Sequence, residues 1–132
     1  MSDKEKNINN ENQIKIKMGN LTDIRQSKIF DANLPVKTSL YFARLIKLVN
    51  SELRLFDEQR VKLCKQYGCL DKKNNAYTFP DTEKKDIFNQ KIKELLETEI
   101  IVPIKPISIT EIGNENVSPK DLFLLNGIIK EV

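Results

Sequence analysis

The side chains with the clearest chemical potential in this chain are cations. Lys37, Arg44, Lys47 and Arg54, followed by Lys62 and Lys65, recur along one arc of a run with helical periodicity, across from its apolar stripe. Cations held at fixed spacing recognise anions, either an acidic protein groove or the phosphates of a nucleic acid. Leu48 and Leu55 stand at the edge of the stripe as apolar anchors, so the expected partner-binding set is Lys37, Arg44, Lys47, Arg54, Leu48 and Leu55. The same row also fits an ordinary solvated helix face. Arg60 differs, because it occupies a position of the apolar stripe itself. Such a guanidinium is either an anion site or a structural Arg, reaching a carboxylate such as Glu94 or Glu97 or sitting where the core thins near the end of the helix, and if it is a buried paired charge Arg60→Ala is expected to cost on the order of 2–4 kcal/mol.

The remaining reactive types lack the partners that catalysis requires. The chain has no histidine, which removes Ser-His-Asp and Cys-His catalysis and imidazole metal ligation. Cys64 and Cys69 then have no imidazole to ionise them and too few companions for a four-ligand zinc site, so two reduced thiols are expected. Asp71-Lys72-Lys73-Asn74-Asn75 does not serve as a calcium loop, because two lysines sit among the would-be ligands and the required Gly and terminal Glu are missing. With four glycines and no Gly-rich phosphate loop, the expectation is a non-enzymatic chain with no cofactor and no metal. A net charge of only +3, from 22 basic and 19 acidic residues, argues against a dedicated nucleic-acid coat and leaves nucleic acid as the less favoured partner.

These side chains must be positioned by a scaffold of 132 residues, 39% apolar and 31% charged, which suits one globular domain. Residues 1–12 read as a charged, Asn-rich disordered tail and residues 13–132 as a single α+β domain. No apolar run approaches the roughly 18 residues that span a bilayer, and Met1–Asn12 has no apolar signal segment, so a soluble protein without membrane contact is expected. Gln13–Met18 alternates as a half-buried strand, and Leu21–Asp31 suggests a short helix. From Val36 to Tyr67, Phe42, Ile46, Val49, Leu53, Phe56, Arg60, Leu63 and Tyr67 follow steps of four and three, with Gly68 as the stop. That is one long helix, the spine of the molecule.

Cys69–Pro80 reads as a hairpin or extended loop, and Asp81 or Thr82 caps a second helix with Ile87, Phe88, Ile92, Leu95 and Leu96 on its apolar face. This helix is expected to fold back antiparallel on the spine. Pro103 and Pro106 confine Glu99–Thr110 to an edge or to short strands, with Gln13–Met18 as the partner in a small antiparallel sheet. Ser118-Pro119-Lys120-Asp121 is a capping-box pattern that opens a C-terminal helix with Leu122, Leu125, Ile128 and Ile129 inward.

The run Leu34–Gly68, then Asp71 with Asn74-Asn75, then Glu94-Leu95-Leu96, Glu99-Ile100 and Ser118-Pro119-Lys120-Asp121-Leu122, resembles small uncharacterised proteins of tailed phages and prophages of low-GC bacteria. The match covers most of the chain after residue 13, with Asn in place of the Gly expected after Asp71. Lys, Ile and Asn together make 47 of the 132 residues, and their AT-rich codons agree with such a source. The resemblance implies a phage setting and a fold, with no catalytic residue to carry over. The expected function is protein–protein binding as a minor virion component or assembly factor, with other phage or host proteins as partners, in the host bacterial cytoplasm or the virion. The alternative is a regulator or anti-defence factor that binds a host complex or nucleic acid.

Overall fold

The computed structural model of the chain describes residues 13–113 and 116–130. The expected tail, residues 1–12, lies outside the described residues. Strand β1 (Ile14–Lys17) alternates as its sequence dictates, with Ile14 and Ile16 buried and Lys15 and Lys17 exposed. A 3-10 turn over Met18–Asn20 leads into helix α1 (Leu21–Arg25), which buries Leu21 and Ile24. The single short helix expected over Leu21–Asp31 is broken in two. Ser27 adopts extended geometry, and its side chain caps a second 3-10 turn, Lys28–Asp31, by accepting from the Ile29 N–H at 3.2 Å.

Helix α2 (Val36–Tyr67) runs 32 residues, because nothing between Pro35 and Gly68 breaks it. Gly68 ends the helix for want of space rather than by a left-handed turn. Its φ is −108°, and an added Cβ would lie 2.9 Å from the Cys64 carbonyl oxygen and 3.0 Å from the Phe79 ring. The tip is an antiparallel hairpin of β2 (Cys69–Asp71) and β3 (Ala76–Thr78), which turns at Asn75 with φ of 51°. Helix α3 (Thr82–Glu97) then returns along α2, its N-terminus capped by Asp81, which accepts from the N–H groups of Glu83 and Lys84 at 3.0 and 3.2 Å.

Strand β4 (Glu99–Val102) pairs antiparallel with β1, from Ile14↔Val102 to Lys17↔Glu99, which is the small sheet expected from the alternation. The chain beyond it departs from expectation. Residues Ile107–Ser108 form β5, the short helix α4 (Ile109–Ile112) follows, and α5 (Pro119–Leu124) spans only six residues. The C-terminal helix therefore stops before Leu125 and Ile128, both fully buried, while Leu122 is 38% exposed. Gly127, at φ +89°, turns the chain so that β6 (Ile129–Lys130) lies parallel to β5. The architecture is α+β: a long helix, an antiparallel partner, small sheets and a C-terminal helix.

The core gathers on the first half of α2. Phe42, Leu45 and Val49 meet Leu21, Ile24, Ile29, Val102, Ile112, Leu125 and Ile128, each at most 2% exposed. Beyond Val49, Cys64 is the one residue of α2 that is buried. Helix α3 buries none of its 16 residues. Its expected apolar face does turn toward α2, but Ile87 remains 44% exposed and Leu96 38%. The distal half of α2, the hairpin and α3 thus form a two-layer arm. Its rings of Phe79 and Phe88 stack at 4.4 Å, and its base is tied to the body where the Met18 N–H donates to the Thr98 carbonyl at 2.9 Å.

Arg60 lies on this arm, where the core has thinned, and the buried pair with Glu94 or Glu97 is not made. Its side chain is 44% exposed and pairs with Asp57, three residues earlier, at 2.8 Å, not with Glu94 or Glu97. The hydrogen bonds that the guanidinium donates to the Asp57 carboxylate hold its pKa above the ordinary value. A solvent-screened pair of this kind contributes little, so Arg60→Ala should change stability by less than about 1 kcal/mol. Urea unfolding of the variant checks this, and a loss above that figure would mean a buried charge after all.

Candidate partner-binding surface

Lys37, Arg44, Lys47 and Arg54 all project from α2 into solvent. Among the described residues the one ion pair is Arg60–Asp57, so these four cations have no carboxylate within 4.0 Å. The two expected apolar anchors part company. Leu55 is 52% exposed and available, whereas Leu48 is half-buried and packs against the core, so it belongs to the body's edge. Sequence reasoning missed Val36 and Leu40, which are 86% and 50% exposed on the first turns of α2 beside Lys37 and Arg44. Their position four residues apart and off the apolar stripe was the available clue.

The fold adds cations from distant segments. Lys37 shares a groove of about 600 Å³ with Lys105 and Lys130, lined also by Pro35, Thr38, Tyr41 and Glu111. Lys130 arrives there because β6 pairs with β5 at Ser108↔Lys130. The groove is held by hydrogen bonds. The Tyr41 hydroxyl donates to the Lys105 carbonyl, and Thr38 Oγ1 donates to the Glu111 carbonyl at 3.0 Å. Burial, with the nearby Glu111 carboxylate, raises the Tyr41 pKa, so its hydroxyl stays a neutral donor at physiological pH.

One flank of α2 carries further concavities. Ser39, Ala43 and Ile46 border a small groove of about 190 Å³ walled by Phe30 and Leu34. One turn farther, Asn50, Leu53, Arg54 and Asp57 line a groove of about 630 Å³ with Thr22 and Arg25 of α1. On the arm, Arg60, Val61 and Cys64 face Tyr77, Phe79, Phe88 and Ile92 across about 570 Å³. Arg25 was not legible as a neighbour of Arg54, because only the docking of α1 on α2 brings them together.

The other candidates behave structurally. Asp71 forms the hairpin turn, accepting from the Lys73 N–H at 3.0 Å and from Asn74 Nδ2 at 2.9 Å. Cys64 is a buried free thiol with Arg60 Nη1 at 4.0 Å from its sulfur, and Cys69 is an exposed one. Among the described residues, no group of three His, Cys, Asp or Glu side chains could hold a metal ion, and no helix is long and apolar enough to cross a membrane. No family model, curated protein or solved structure matches the chain.

Proposed function

We propose that the chain is a non-enzymatic phage or prophage protein that works by binding other proteins, as a minor virion component or assembly factor. The observation that carries this reading is the uncovered arm. Helix α3 brings Ile87, Phe88, Ile92, Leu95 and Leu96 yet buries no residue fully, and Leu55 and Leu70 are about half exposed at 52% and 49%. A helix pair with apolar side chains on display, on a helix whose exposed cations have no ion-pair partner among the described residues, is suited to a protein partner, with affinity from the apolar contacts and orientation from the charges. The AT-rich composition and the resemblance of the Leu34–Gly68 run support the phage setting.

Fractionation of particles made in the presence of the chain tests the reading. It should travel with mature particles or with an assembly intermediate. The alternative, a regulator or anti-defence factor, draws on the cluster of Lys37, Lys105 and Lys130. Absence of the chain from every particle fraction, together with salt-sensitive retention on DNA or RNA, would replace the first reading by the second.

A further inference from the structure

We propose that the flank of α2 carrying Ser39, Ala43, Ile46, Asn50, Leu53 and Asp57 seats an amphipathic helix of another protein, with a carboxylate set to meet Arg25 and Arg54. The inference rests on the protein-binding reading and names the partner's chemistry. These residues follow steps of four and three, which is the seam spacing that lets a second helix run alongside. Ser39, Ala43, Asn50 and Asp57 are exposed, and Ile46 and Leu53 are half-buried, so the seam is open. Ser39 and Ala43 are small, allowing close approach of a second backbone. The grooves of about 190 and 630 Å³ succeed one another along this flank and give knobs from a partner their holes, and the open seam ends at Asp57, since Cys64 beyond it is buried facing Phe88 and Ile92 of α3. From Ser39 to Asp57 the seam is about 27 Å long at 1.5 Å per residue, room for about five helical turns.

Charge selects the occupant. Arg25 and Arg54 line the larger groove and have no ion-pair partner among the described residues. The one carboxylate of the seam, Asp57, is held by Arg60 at 2.8 Å, so the seam of a second copy has no free acid to give the two guanidinium groups, whereas a foreign helix with Asp or Glu at that level has one.

The test is selection on the full chain from a library of helical peptides about five turns long, with leucine fixed at the two apolar heptad positions and the rest randomised. Enriched peptides should share an Asp or Glu at one fixed position. They should bind Arg25→Glu and Ala43→Lys variants at least tenfold more weakly, and exchange of that acid for Lys should restore binding to Arg25→Glu. Circular dichroism of each variant keeps loss of fold separate from loss of binding. Peptides with no shared acid, or unchanged affinity for Arg25→Glu, would overturn the proposal, as would sedimentation of the chain as a dimer that excludes the peptides. Peptides that fail on Arg44→Glu/Lys47→Glu but not on Arg25→Glu would also overturn the seam, while leaving protein binding through the outer arc intact.

Discussion

Replacing Asp121 with alanine is expected to lower stability by about 2–4 kcal/mol, read as a shift in the urea midpoint at an unchanged slope. Asp121 is 6% exposed and joins segments 94 residues apart. Its Oδ1 accepts from Ser27 Oγ at 2.7 Å, and its Oδ2 accepts from the Ser118 N–H at 3.1 Å and from Ser118 Oγ at 2.9 Å. The capping box of α5 and the turn that follows α1 therefore share one carboxylate. Removing it takes a cap from α5 and leaves the 4%-exposed Ser27 hydroxyl without its acceptor. Burial opposes the charged form, but the hydrogen bonds from Ser27, Ser118 and the Lys28 N–H prevail and hold the carboxyl below its ordinary range. A lowered folded-state pKa contributes stability that is present above the unfolded value of about 3.9 and is lost as pH falls through the folded value. Asp121→Asn should accordingly show a shallower acid limb below about pH 4. An acid limb identical to the wild type would mean that this carboxylate is not held in its charged form.

The second large effect belongs to Phe42. It is 2% exposed, stands edge-on to Phe30 at 5.8 Å and to Tyr41 at 5.2 Å between ring centres, and lies where α2 is covered by the body. Phe42→Ala should cost about 3–5 kcal/mol through lost transfer energy and the cavity left behind, against a total of about 5–15 kcal/mol for a domain of ordinary size. Phe88 offers the control, since it is half-buried in the arm and touches Phe79. Phe88→Ala should cost less than about 2 kcal/mol, because truncation there removes area that solvent already reaches. Similar losses at both positions would show that arm and body are equally well covered.

That contrast marks where sequence reasoning succeeds and where it stops. The bounds of α2 were legible because Pro35 and Gly68 punctuate a run with no internal breaker. The β1–β4 pair was legible from the alternation of Gln13–Met18 and the β-rich run that opens at Glu99, and the α5 cap from Ser118 and Asp121. Periodicity states which face of a helix seeks cover but not whether cover exists. The same stripe runs through Phe42 and Arg60, yet the elements that bury Phe42 all gather on the first turns of α2, so Arg60 stays 44% exposed and pairs with Asp57 on its own helix. Two-residue strands such as β5 and β6 have no alternation to read, which hid their parallel pairing and the approach of Lys130 to Lys37. The early end of α5 follows from Gly127, whose positive φ turns Ile128 into the core from outside the helix. The exposed arc of Lys37, Arg44, Lys47 and Arg54 was readable as a row on one helix, whereas its neighbours Arg25 and Lys105 depended on tertiary contacts.

The central claim is that this chain acts while bound to another protein through the outer surface of α2. Sedimentation of the chain in extracts of cells that express it at its native level tests that most directly, comparing wild type with the Arg44→Glu/Arg54→Glu double variant. The wild-type chain should migrate in a complex well above its own 15.3 kDa, and the folded variant should shift toward the free chain, most strongly at low salt. Wild type and variant both migrating as the free chain, or both in the same complex at the same level, would contradict the account.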